Sequence, residues 1–190
     1  MKPRFTLKFV THYIVYLINC ISKYTPRNPY KWVYGAHFGF ADNPKFFFID
    51  TNVRYPKIHS IWISHNKKEI TKIRELGFES YYWLSLKGLF HSFTASVYIC
   101  SQTTIDINRF ANGGALYVNL NHGVGVKKCY WHNTKKIEKQ WHKPIIELEK
   151  RFWFKVLYYS WLYRVPDICL VTSLMQARDF YTKMFRIPMS

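Results

Sequence analysis

A mostly parallel α/β sheet is the fold that this sequence predicts, and three observations predict it. Short apolar runs that read as strands alternate along the chain with runs of helical period. Turn and capping residues punctuate the alternation at each change of period. The run from Ala115 to Asn119 stops just before His122, Gly123 and Gly125, as a buried strand does when it delivers polar groups at its carboxyl end.

The elements follow in order. Met1 to Thr25 opens with Lys2, Arg4 and Lys8, then runs apolar and aromatic from Phe9 to Ile21, interrupted by Thr11, His12 and Asn19. This is shorter than the about 20 apolar residues of a spanning helix, and no small-residue cleavage site follows it. A helix lying in the membrane interface and an amphipathic helix packed on the domain both fit. On the first, residues 1–27 are expected to associate with a membrane and residues 28–190 to form one Rossmann-like domain. Thr25-Pro26-Arg27-Asn28-Pro29 breaks the helix, and Lys31 to Tyr34 reads as the first strand. Asp42-Asn43-Pro44 is a turn or a helix start. His59 to Ser64 is the second strand. Asn66 with Glu69 resembles a capping box, and Ile70, Ile73 and Leu76 ahead of Gly77 describe an amphipathic helix with a glycine stop. Tyr81 to Leu84 is the third strand, Leu86 to Ala95 a short helix, Val97 to Ser101 the fourth strand and Ala115 to Asn119 the fifth. A basic, aromatic stretch from Lys128 to Lys143 precedes a helical pattern from Ile145 to about Tyr163. Asp167 to Thr172 is the sixth strand, and Ser173 caps a last helix reaching about Phe185.

Composition limits the partners. Hydrophobic residues make up 48% of the 190, enough for a real core. Lys and Arg number 28 against 11 Asp and Glu, so the net charge of +17 calls for an anionic partner: nucleic acid, anionic lipid or a polyphosphate. Aromatics reach 19%, a surplus suited to apolar–polar boundaries. Cys20, Cys100, Cys129 and Cys169 are scattered without a Cys-x-x-Cys pair, which argues against a zinc ribbon and fits a reducing compartment.

The chemistry concentrates after the fifth strand. His122 is a proton acceptor at a strand end, Gly123 and Gly125 let backbone N–H groups approach an anion, and Lys127 and Lys128 add positive charge. The loop is neither a Walker loop nor a Gly-x-Gly-x-x-Gly fingerprint. Trp131-His132 and Trp141-His142, with Lys135, Lys136, Lys139, Lys143 and Trp153, make a basic aromatic surface rather than a metal site.

The order of motifs resembles the CDP-glycerol glycerophosphotransferases that build teichoic-acid and capsule backbones. The first matching block runs from Trp32 to Phe47 and contains Asp42-Asn43-Pro44-Lys45; the second is Ile61-Trp62-Ile63-Ser64. The third is the family's His-Gly-Thr-x-x-Lys, matched by His122, Gly123 and Lys127, with Val124 in place of Thr. The resemblance implies two Rossmann-like halves of the GT-B type, of which this chain covers the first. It is expected to be a fragment, a truncated reading frame or half of a split enzyme. The resemblance further implies CDP-glycerol as donor and an anionic polymer or lipid-linked acceptor, with no separate cofactor and no nucleic acid. It implies a place on the cytoplasmic face of a bacterial membrane and His122 as general base. Gly123, Gly125, Lys127, Asp42, Asn43 and Lys45 would bind substrate or phosphate. The alternative is a non-catalytic basic module that binds nucleic acid or anionic lipid.

Overall fold

The computed structural model describes residues 14–123 and 164–182. Residues 14–22 are helical (α1). They are followed by β1 (Asn28–Gly35), α2 (Asp42–Arg54), β2 (His59–Ser64), α3 (Lys67–Glu75), β3 (Ser80–Tyr82), α4 (Leu86–Thr94), β4 (Ala95–Cys100), a 3-10 turn (Thr104–Asp106), β5 (Leu116–Asn119) and β6 (Ile168–Cys169). The six strands form one sheet in the order β3-β2-β1-β4-β5-β6, and every neighbouring pair is parallel. This is the doubly wound, Rossmann-like arrangement that the alternating pattern predicts. The order reverses between β1 and β4, which makes the carboxyl end of that pair the topological switch point.

Because successive strand residues point to opposite faces, the sheet splits its apolar residues into two cores. Val33, Ile61, Ile63, Tyr98, Cys100 and Tyr117 pack on one face with Ile107. Tyr34, Trp62 and Ile99 pack on the other, where α2 contributes Phe48 and α3 contributes Ile73. Phe48 is fully buried and meets Tyr34, Trp62 and Phe78 edge-on.

Several elements differ from the sequence reading, each for a local reason. β1 begins at Asn28, inside the breaker cluster, because the pairing with β4 is irregular between Asn28 and Trp32 and so tolerates Pro29, which has no N–H to donate. Asp42-Asn43-Pro44 is a helix start, one of its two expected alternatives, and opens a 13-residue helix whose extent the run Phe46-Phe47-Phe48-Ile49 disguises. The capping box forms only in part. Asn66 Oδ1 accepts the Lys68 N–H at 3.0 Å, but Glu69 takes the Ser64 hydroxyl, and Ser64 Oγ accepts the Asn66 N–H at 2.9 Å. β3 starts one residue early and ends at Tyr82, since Ser85 Oγ caps α4 by accepting the Gly88 N–H. β4 likewise begins at Ala95, where α4 stops, and β6 is only two residues long. In β5 the polar partners are the buried ones. Tyr117 and Asn119 lie inside, and both donate to the Gln102 carbonyl, at 2.9 and 2.8 Å.

α1 is fixed on its inner face. Val15 and Ser22 are buried, and Asn19 Nδ2 donates to the Arg109 carbonyl and to Asn112 Oδ1. A Cβ on Gly113 would come within 2.3 Å of the Asn19 carbonyl oxygen, so only glycine lets the backbones meet so closely. Arg27 extends the attachment by donating to the carbonyls of Ser22, Ser92, Ala95 and Ala111. The outer face carries Ile14, Leu17 and Ile21, exposed at 49%, 42% and 67%. Among the described residues, no helix is long and apolar enough to cross a membrane.

The chain forms two compact units: residues 1–122 with 166–170, and residues 123–165 with 171–190. In the second, Ser173 Oγ accepts the Gln176 N–H at 3.2 Å and so caps Leu174–Gln176, as expected, before the helix widens into a π-turn over Ala177–Tyr181. The expected helix from Ile145 and the basic aromatic stretch lie outside the described residues.

Candidate functional site

The carboxyl edge of the sheet brings together three loops. The first follows β1. Gly35 has no room for a side chain, because a Cβ there would lie 2.7 Å from the Asp106 carbonyl oxygen and 2.7 Å from Ile107 Cγ1. That close approach seats the Thr104–Asp106 turn beneath the loop that carries His37 and Phe38. The His37 N–H donates to Ser101 Oγ at 3.0 Å, and Ser101 Oγ donates in turn to Asp106 Oδ2 at 3.1 Å.

Asp106 is the most enclosed acid of this edge. Its side chain has no solvent exposure, and Oδ2 accepts three bonds, from the Ser101 N–H, the Ser101 hydroxyl and the Gln102 N–H. Oδ1 is buried without a hydrogen-bond partner and lies 3.9 Å from His37 Nδ1. Burial pushes the carboxyl above its ordinary pKa, and the donors from Gln102 and Ser101 oppose the shift. Glu69, in the first turn of α3 beside the end of β2, shows the same upward shift for the same reason, and Gly39 (φ +89°) passes close over its carboxylate.

The third loop follows β5. Asn121 adopts φ +54°, a left-handed turn that asparagine tolerates, with its N–H held by Asn119 Oδ1 at 2.8 Å. His122 comes next and is exposed. Its ring meets Phe38 edge-on at 5.9 Å between centroids, and the His37 ring meets the same Phe38 edge-on at 4.8 Å. Two imidazoles therefore flank one exposed phenyl ring.

The expected site residues separate into groups. Asn43 reaches the His122 loop directly: its Nδ2 donates to the carbonyls of Leu120 and Asn121, each at 3.0 Å. It does not cap α2, whose N-cap residue is Ala41 and carries no side-chain bond. Asp42 takes φ +59° at the start of α2, and its Oδ2 is buried without a hydrogen-bond partner. Lys45 turns away to cover aromatic faces, with Nζ 5.4 Å from the Phe40 ring and 5.5 Å from the Phe46 ring. Gly123 has φ +142° with open space where a Cβ would stand. Gly125, Lys127 and Lys128 lie outside the described residues. Among the described residues, no group of His, Cys, Asp or Glu is arranged to hold a metal ion.

Sequence reasoning missed His37, Phe38, Ser101 and Asp106 as members of this edge. The signal was the one that marked His122: polar residues placed just after a buried strand, His37 two residues after β1 and Ser101-Gln102 directly after β4. Only the sheet order reveals that these two ends are neighbours.

Topology and edge together define a Rossmann-like α/β protein with polar loops converging beside its switch point. No protein-family model, curated protein or solved structure matches the chain.

Proposed function

We propose that the chain is the acceptor-side half of a glycerophosphotransferase, which moves glycerol phosphate from CDP-glycerol to a hydroxyl of a teichoic-acid-like or capsular polymer. One observation carries the reading. Asn43 bonds to the two carbonyls that immediately precede His122, so the two motifs that resemble this family meet at one edge of the sheet although 78 residues separate Asn43 from Asn121. In the proposed reaction, His122 accepts the proton of the acceptor hydroxyl as its oxygen attacks the β-phosphate. The new P–O bond forms while the bond to CMP breaks. The exposure of His122 suits an acceptor as large as a polymer end. The net charge of +17 and the outward apolar residues of α1 favour a peripheral place on a membrane, and the family resemblance puts it on the cytoplasmic face of a bacterial one.

The test is CMP release. In a complete two-domain context, His122→Ala is expected to slow transfer by ~10²–10⁴-fold with the fold intact, the usual cost of losing a positioned base. Near-normal transfer would remove His122 as base and make Asp42 the next candidate. The 190-residue chain alone is expected to turn over little, because the resemblance implies two Rossmann-like halves of which this chain covers the first. Robust CMP release by this chain would overturn the half-enzyme reading.

A further inference from the structure

The dyad of His37 and Asp106 is better built than a surface histidine needs to be. The Asp106 side chain is fully enclosed; its Oδ2 accepts three hydrogen bonds, Oδ1 accepts none of ordinary geometry, and the Thr103 backbone also favours the ionised carboxylate. The unsatisfied oxygen lies 3.9 Å from His37 Nδ1, about 1 Å beyond an ordinary N–H···O bond. A shift of about 1 Å would bring the pair into hydrogen-bond contact. Once in contact with the carboxylate, a neutral His37 ring would carry its proton on Nδ1 and present Nε2 as an acceptor. The His37 side chain is 51% exposed, so the dyad binds inward and leaves its ring open outward. Its backbone is pinned as well, by the N–H bond to Ser101 Oγ.

The second observation is Phe38. It is 66% exposed and stands edge-on to both His37 and His122. A bare anion has no use for an apolar ledge between two imidazoles. A carbon chain bearing several hydroxyls does: its C–H groups rest on the ring while its O–H groups reach the nitrogens on either side.

We propose that His37 is a substrate-binding residue which accepts a hydrogen bond from a spectator hydroxyl of the acceptor, and that the acceptor unit is therefore a polyol gripped by two imidazoles. His122 takes the reacting hydroxyl and His37 a neighbouring one. Asp106 acts through His37 and is a positioning residue. The assignment of the reacting hydroxyl rests on the transferase reading; the grip on two hydroxyls does not.

The experiment is a ligand titration of the full chain followed by the ring ¹⁵N and ¹H resonances of His37 and His122. One probe is glycerol 3-phosphate, with two hydroxyls. The other is 3-hydroxypropyl phosphate, of similar charge and length but with one. The chain is expected to prefer the first by about tenfold, the worth of one hydrogen bond. His37→Ala should erase that preference, and His37→Gln, which retains an acceptor oxygen, should restore part of it. Asp106→Asn should move the His37 ring from the Nδ1–H to the Nε2–H tautomer and reduce the preference, with circular dichroism reporting an unchanged fold. Equal binding of the two probes, binding of neither, or a preference unaltered in His37→Ala would overturn the proposal. No CDP-glycerol enters this titration. Absent transfer with the preference intact therefore sinks the transferase reading alone, and a lost preference beside normal transfer sinks this one.

Discussion

Asn43 Nδ2 donates to the Asn121 carbonyl at 3.0 Å, tying the first turn of α2 to the residue just before His122. The same nitrogen serves the Leu120 carbonyl, so one side chain fixes the backbone of the whole turn. Asn43→Asp should be worse than Asn43→Ala. Alanine leaves two carbonyls to solvent at a cost of about 1 kcal/mol, whereas aspartate sets a charge against them and costs about 2–3 kcal/mol. Thermal unfolding of the two variants, together with amide exchange at Asn121 and His122, measures the ranking. Equal stabilities would mean that the turn holds without this bond.

Gly35→Ala tests how the switch point is assembled. The new methyl would meet the Asp106 carbonyl oxygen and Ile107, each at 2.7 Å, and neither can swing aside. We expect a loss of roughly 1–3 kcal/mol from overpacking. The His37 resonances should shift as well, because the Thr104–Asp106 turn must move. A stable variant with unshifted His37 signals would contradict that geometry.

How much of this was legible in the sequence depends on what each element needs from its neighbours. His59 to Ser64 was read to the residue because β2 is apolar, short and bounded by polar residues. α2 was not, because its buried residues Pro44, Phe48 and Thr51 are embedded among exposed Phe46 and Val53, which blurs any helical stripe. The importance of Asn43 was visible as a motif, but its role was not: a turn or helix start and a substrate contact are what its local sequence suggests, and nothing local names the β5 loop. Asp106 was invisible, since nothing local marks a Thr-Thr-Ile-Asp segment as the floor beneath a loop 69 residues earlier in the chain. Pairing of β1 with β4 created that contact, and strand order is not written in any one segment.

The opposite edge of the sheet makes a pH prediction. Glu79 lies between His59 and His91, whose ring also stacks on Tyr81. Burial, aided by the nearby Lys31 charge and only partly opposed by Glu79, lowers the pKa of His91 to about 4. The unfolded chain therefore binds this proton more readily than the folded one, and stability falls as pH drops from about 6.5 towards 4. Replacing His91 with Gln should flatten the dependence of Tm on pH within that window and leave it unchanged above pH 7. The carboxyls of Asp106 and Glu69, shifted upward, act in the opposite sense, so the difference between variant and parent is the quantity to read. Parallel Tm profiles for the two proteins would refute the assignment.

Arg27 should be intolerant of change. It donates to four carbonyls drawn from α1, α4, the start of β4 and the segment before β5. Arg27→Ala strands those acceptors together and should cost on the order of 3 kcal/mol. Arg27→Lys should recover only part of it, because one ammonium cannot span the fork of a guanidinium. Chemical denaturation of the three proteins gives the order directly.

The outward residues of α1 predict vesicle binding. Ile14→Glu, Leu17→Glu and Ile21→Glu together should abolish flotation with anionic vesicles and leave the fold unchanged, since all three side chains already face water. Undiminished flotation would move the membrane contact elsewhere on the basic surface.

Phe38 has a use beyond packing. An aromatic ring carries a circulating π current that displaces the resonance frequency of nearby nuclei, and here one phenyl group lies within 6 Å of the imidazoles of both His37 and His122. A rotation of that single side chain would register at both histidines at once, with a size and sign set by each ring's angle to it. A substituent that settles on only one side would register chiefly at one. The molecule thus carries an internal magnetic compass at the carboxyl edge of its sheet, and Phe38→Leu, which removes the current while keeping an apolar side chain, supplies the blank against which it can be read.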